Sequence, residues 1–142
     1  MHDNDFYMSA EEVARYKGNV GEDFACEVLI SKGHTILCRN YTCRGGEIDI
    51  ISKIGKYIVF TEVKMRSGTW SPMASVTRKK IDTVKKCALA FLAEKGMPDG
   101  VGSDGTMSVR IDIIALRQQS DGISLLSHIE GLNLLPNTAK RF

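Results

Sequence analysis

The sequence predicts an α/β fold, a mixed β-sheet flanked by helices in the order α-β-β-β-α-β-β. Three observations carry that expectation. The stretch Gly45 to Arg66 holds two apolar-rich strand patterns joined at Gly55-Lys56. Apolar residues recur at helical spacing in two longer segments, one before and one after it. A third apolar run, Met107 to Leu116, then follows the second helical segment, which places helices on the faces of a sheet.

Residues 1–8 are expected to form a flexible arm. Ser9 followed by Glu12 is a capping-box pattern that starts the first helix. Val13, Val20, Phe24 and Val28 form its apolar stripe, which Ala25 and Leu29 widen. Gly18 and Gly21 interrupt the stripe, so the segment reads as two helices or as one with a loose first turn. Ser31-Lys32-Gly33 ends it, with Gly33 suited to the left-handed residue beyond a helix. Residues 34–42, through Ile36 and Leu37, form the first strand, and Cys43-Arg44-Gly45-Gly46 a turn. The hairpin strands are 46–54 and 57–66, and 67–75 is a loop.

The second helix is expected over about 76–95, with Ile81, Val84, Ala88 and Phe91 as its stripe and Leu92 beside it. The segment 96–105 has four glycines and a proline. It is a loop, and without a Gly-Lys-Ser/Thr ending it is not a phosphate-binding P-loop. Residues 107–116 are a strong strand, 123–129 a weaker edge strand, and 132–142 a tail with no assigned element.

With 142 residues and no internal repeat or linker, 1–142 reads as a single domain. The 25% charged and 43% hydrophobic content is ordinary for a soluble globular chain. A net charge of +2 is too small to argue for nucleic acid, so the distribution of charge must do so. No apolar run reaches the length of a membrane span. The opening MHDNDFYMSAEE lacks the basic and apolar regions of a secretion signal, so the expected location is the cytoplasm. Cys26, Cys38, Cys43 and Cys87 form no Cys-x-x-Cys pair and are expected as reduced thiols. His34, Cys38 and Cys43 match no common zinc spacing.

The hairpin carries the chemistry. A two-residue turn at Gly55-Lys56 pairs Ile54 with Tyr57. Counting back pairs Asp49 with Glu62 and Glu47 with Lys64. Alternation then puts Glu47, Asp49, Ile51, Ile58, Phe60, Glu62 and Lys64 on one face, and Ile48, Ile50, Val59, Thr61 and Val63 on the other. Carboxylates directly opposite, with Cβ atoms about 5 Å apart, repel each other. A divalent cation removes that conflict. Mg²⁺, or Mn²⁺ in its place, suits hard carboxylate oxygens with positions left for water and phosphate. Lys64 lies beside them, able to orient or help deprotonate a water and to stabilise charge at phosphorus. The plainer reading is a set of solvated strand charges, with Glu47 and Lys64 as a cross-strand ion pair.

Asp49, then twelve residues, then Glu62-Val63-Lys64 resembles the D…(D/E)-x-K signature of restriction-endonuclease-like proteins. More closely, the chain resembles the YraN family of uncharacterised bacterial proteins, which are similar to archaeal Holliday-junction resolvases. The matching stretches are Gly21-Glu22-Asp23-Phe24-Ala25, Asn40-Tyr41, Gly45-Gly46-Glu47-Ile48-Asp49, Val59 to Arg66, Val76 to Lys80, and Val109 to Ile114. The resemblance implies a restriction-endonuclease-like sheet with the site at one end. It maps Glu22, Asp49 and Glu62 onto metal ligands and Asp49, Glu62 and Lys64 onto the catalytic set. Glu47 becomes a supporting residue, paired with Lys64 or with water on the metal. Ile48 stands where many nucleases of the superfamily carry proline.

Basic residues gather near these positions. Arg44 precedes the hairpin and Arg66 follows Lys64. Arg78, Lys79 and Lys80, then Lys85 and Lys86, crowd the second helix against Asp82 alone. Arg44, Arg66, Arg78, Lys79 and Lys80 are the candidate nucleic-acid contacts. Trp70 is placed either to stack on a base or to cap the core edge. The leading expectation is a Mg²⁺-dependent endodeoxyribonuclease, with branched DNA among its substrates. The alternatives are a non-catalytic nucleic-acid-binding module and a protein-interaction domain using an edge strand. A homodimer would suit symmetric junction cleavage, and no membrane partner is expected.

Overall fold

The computed structural model describes residues 10–96 and 107–134, with the backbone alone for 10–19 and 134. The expected arm, most of the 96–105 loop, the end of the tail and the side chain of Val13 lie outside the described residues. The elements are α1 (Ala10–Ser31), β1 (Thr35–Cys43), β2 (Gly46–Ile54), β3 (Tyr57–Ser67), α2 (Arg78–Glu94), β4 (Ser108–Gln119) and β5 (Gly122–Ile129). Short 3₁₀ turns occupy Pro72–Ser75, within the expected loop, and Leu132–Leu134.

The order and the mixed sheet are those expected. The five strands lie side by side in sequence order. β3 and β4 are parallel, which requires a crossover, and α2 provides it. The other neighbours are antiparallel. α2 packs Ile81, Val84, Cys87, Ala88, Phe91 and Leu92 against Ile51, Ile58, Phe60, Ile111 and Ile113. On the opposite face, Ala25, Cys26 and Leu29 of α1 meet Ile50, Ile114 and Leu116.

α1 is one continuous helix through Gly18 and Gly21. A Cβ at Gly21 would meet Met65 at 3.5 Å, so the glycine sits in ordinary contact with β3. The buried stripe centres on Ala25 and Leu29, with Phe24 and Val28 at its margins. Gly33 (φ +98°) ends the helix, and the His34 amide donates back to the Leu29 carbonyl at 3.0 Å. α2 starts after Thr77, whose hydroxyl accepts the Lys80 amide. Leu132 belongs to the core, so the tail begins inside the fold.

The cysteine expectation fails for one pair. Cys43 ends β1, Cys87 lies on the face of α2 above it, and the two form a disulfide with Cα atoms 5.4 Å apart. Tertiary packing brings them together across 44 residues. Cys26 and Cys38 are free. His34 Nδ1 and Ser52 Oγ lie 2.8 Å apart in the core.

Candidate active site

The site begins with a break in strand alternation. Arg39 pairs with Ile50, on the α1 face, whereas Tyr41 pairs with Ile48, on the α2 face. Residues two apart on a strand normally share a face. Here both strands change face together, at Asn40 and Asp49. Asn40 has φ +52°, the only positive φ outside glycine among the described residues. Asparagine tolerates that conformation better than most side chains. The expected placement of Ile48 on the Ile50 face is therefore corrected. Ile48 packs under α2 instead.

The β2–β3 register is the one counted from the turn, from Ile54↔Tyr57 to Ile50↔Thr61. Pairing stops there. The next inward amide, Val63 N–H, donates to Asp49 Oδ2 at 2.7 Å, so a side chain replaces the lost ladder partner. The expected Glu47–Lys64 pair does not form. Glu47 pairs across β1 with Thr42 and is exposed. The face change turns it away from β3.

Asp49 and Glu62 do meet. Burial first, and then the Glu62 charge, push the Asp49 carboxyl up to about 6, against the pull of the Val63 amide and Lys80. Lys80 Nζ reaches across from α2 to 3.1 Å from Glu62 Oε2. It is a charge contact rather than an aligned hydrogen bond, since that oxygen is buried with no hydrogen-bond partner. Lys64 lines the same narrow pocket as Glu62, Lys80, Ser75 and Val76.

Glu22 approaches from α1. Its carboxyl is raised by burial first and then by Asp49, with Asn40 and Arg39 opposing. Arg39 Nη2 stands 3.6 Å from Glu22 Oε1, which has no hydrogen-bond partner although buried, and Nη1 stands 2.7 Å from Asp23. Among the described residues no three His, Cys, Asp or Glu side chains converge tightly enough to cage a metal ion. The donor set still fits magnesium, which is commonly held by one or two carboxylates with water and phosphate completing the shell. Asp49 and Glu62 are such a pair, and the bare oxygens of Glu62 and Glu22 are the groups a cation would satisfy.

Arg44 and Arg66 are exposed. Arg66 lies over Trp70, 5.9 Å from the ring centre, so the two form one surface feature. Arg78 and Lys79 line a cleft on the other flank of α2. Lys80, expected among the nucleic-acid contacts, stands on Glu62. Asn40 and Arg39 carry no role in the sequence pattern. Only the Asn40-Tyr41 match pointed there.

The model of the Uncharacterised protein family UPF0102 matches residues 21–116, a span that includes Glu22, Asp49, Glu62, Lys64 and Lys80. A UPF0102 protein of Geobacter sulfurreducens is 40% identical over 111 residues, covering 77% of this chain and 81% of the relative. One from Thermotoga neapolitana is 36% identical over 111 residues, covering 78% and 92%. One from Acidothermus cellulolyticus is 34% identical over 119 residues, covering 80% and 90%.

Proposed function

The chain belongs to the uncharacterised protein family UPF0102, and from that premise we propose that it is a divalent-metal-dependent endonuclease hydrolysing DNA phosphodiesters. The observation that carries the reading is the abutted pair Asp49 and Glu62, one carboxyl raised to about 6 by burial and by its neighbour. Repelling carboxylates at a sheet end are unfavourable in a bare protein and favourable around a cation.

Asp49 and Glu62 would hold Mg²⁺ or Mn²⁺, with Glu22 as a third carboxylate. The ion would supply Lewis-acid charge at the phosphate. Val63 N–H fixes the Asp49 carboxylate. Lys64 orients the attacking water and stabilises the charge that develops on the phosphoryl oxygens. Arg44, Arg66, Arg78 and Lys79 supply the positive surface for the backbone.

One observation favours a second reading. Lys80 seated on Glu62 is a built-in counter-ion, which suits a module that binds nucleic acid without turnover. A single panel separates the two. Linear, nicked, flap and four-way-junction DNA and structured RNA are incubated with the protein, with and without Mn²⁺, beside Glu62→Ala. Metal-dependent cleavage lost in Glu62→Ala is the expected result. No cleavage of any substrate by folded protein would overturn the nuclease reading, and binding without cleavage would establish the second.

A further inference from the structure

We propose that the cleft between α2 and the β1–β2 turn is a second phosphate subsite, holding a phosphodiester of the nucleic-acid backbone other than the one at Asp49 and Glu62. It rests on the nucleic-acid reading above. The cleft is about 400 Å³ and is lined by Gly45, Arg78, Lys79, Asp82, Thr83 and Lys86. Lys79, Thr83 and Lys86 recur at i, i+4 and i+7, one face of the helix. Lys80, one residue along, points to Glu62 instead. The two neighbouring lysines thus serve two different places.

The cleft has a fixed floor. Gly45 has φ +95°, and Lys86 Nζ stands 3.5 Å from where a Cβ there would lie. A Cβ on Gly46 would come within 2.5 Å of Thr83 Cγ2 and 3.1 Å of Cys87 Sγ, so the turn backbone lies directly on α2. The Cys43–Cys87 disulfide pins the same contact.

The charges in the cleft are poorly balanced. The first turn of α2 holds Arg78, Lys79 and Lys80 and no acid, although the N-terminal end of a helix disfavours cations. Glu62 accounts for Lys80. Asp82 is 3.9 Å from Arg78, with both side chains largely exposed. Lys79 and Lys86 have no ion-pair partner among the described residues. An anion bound between them would balance these charges. Gly45, which lines the cleft, stands four residues before Asp49 in the chain, so the turn that floors the cleft leads directly into the strand that carries the carboxylate.

The test measures binding of a labelled DNA duplex, and of an RNA duplex of the same sequence, to the full chain in metal-free buffer across a salt series. Lys79→Gln with Lys86→Gln is expected to weaken binding of at least one duplex and to flatten the dependence of log Kd on log salt by about 1 to 2. Asp82→Asn is expected to tighten binding, a gain that misfolding cannot mimic. If the wild type binds and neither variant changes affinity or slope, the subsite is overturned while the nucleic-acid reading stands. If the folded wild type binds neither duplex, both fall.

Discussion

Lys80 Nζ stands 3.1 Å from Glu62 Oε2, joining α2 to the strand that carries the candidate metal ligand. A divalent cation at Glu62 must compete with that ammonium. Partly exposed ion pairs are worth roughly 0.2–1 kcal/mol. Lys80→Ala should therefore bind Mn²⁺ more tightly, by up to about fivefold, as read by calorimetric titration. Unchanged or weaker Mn²⁺ binding would show that the ammonium and the metal do not share the carboxylate.

Asp49 is expected to destabilise the metal-free fold. Its folded value of about 6 lies above its ordinary 3.8, so folding disfavours the charged form. The stability this group contributes is present below about 3.8 and is lost as pH rises through about 6. Asp49→Asn keeps an oxygen for the Val63 amide and removes the charge. In metal-free buffer at about pH 8 it should gain about 1–2 kcal/mol, discounted from the full shift for partial solvent screening. The gain should vanish near pH 4, and added Mn²⁺ should raise the melting temperature of the wild type alone. A destabilised variant at pH 8 would contradict the repulsion inferred between Asp49 and Glu62.

The legible part of this fold was local. A two-residue turn at Gly55-Lys56 sets a register, and counting from it brings Asp49 to Glu62 because the pairing holds as far as Ile50↔Thr61. Counting failed one residue later, because alternation presumes a regular strand. The face change at Asp49 depends on a left-handed Asn40 across the sheet, which no glycine or proline marks. In the sequence Lys80 reads as a nucleic-acid contact, because its partner Glu62 arrives only through helix packing. Cys43 and Cys87 were hidden for the same reason. Asp112, inside an apolar strand, gave no sign that Arg110, His128 and the Gly131 amide would converge on it.

The Cys43–Cys87 link closes a loop with a sequence separation of 44, for which restriction of the unfolded chain is worth about 4 kcal/mol. Dithiothreitol should lower the unfolding free energy of the wild type by about that amount. Cys43→Ser should show the same loss without reductant and no further loss with it. Cys43 is the better position to change, because Cys87 is fully buried and a serine there would bury a hydroxyl. Melting curves in matched buffers decide this, and identical wild-type curves with and without reductant would refute it.

Acid should weaken the fold through His34. The ring is buried, and burial first, then Arg110, lowers its pKa below the ordinary 6.5, against the nearby Asp112 and Glu130 carboxylates. A lowered folded value means that the unfolded chain takes up the proton first. His34 therefore contributes stability that is present above about pH 6.5 and is lost as pH falls through the folded value. The surrounding network resists relief. Asp112 accepts from Arg110 at 3.0 and 2.9 Å, from His128 at 2.8 Å and from the Gly131 amide at 3.0 Å, while Lys32 Nζ donates to His128 Nδ1 at 2.7 Å. Its carboxylate is thus already occupied by donors. His34→Gln removes the titrating group and retains a polar partner for Ser52. It should be less stable than the wild type at pH 7.5, and the gap should narrow or close at pH 5.5. Urea unfolding at the two pH values measures both. The raised carboxyls of Asp49 and Glu22 are common to the two proteins and cancel in the comparison, so a gap that stays constant with pH would remove His34 as the source of acid sensitivity.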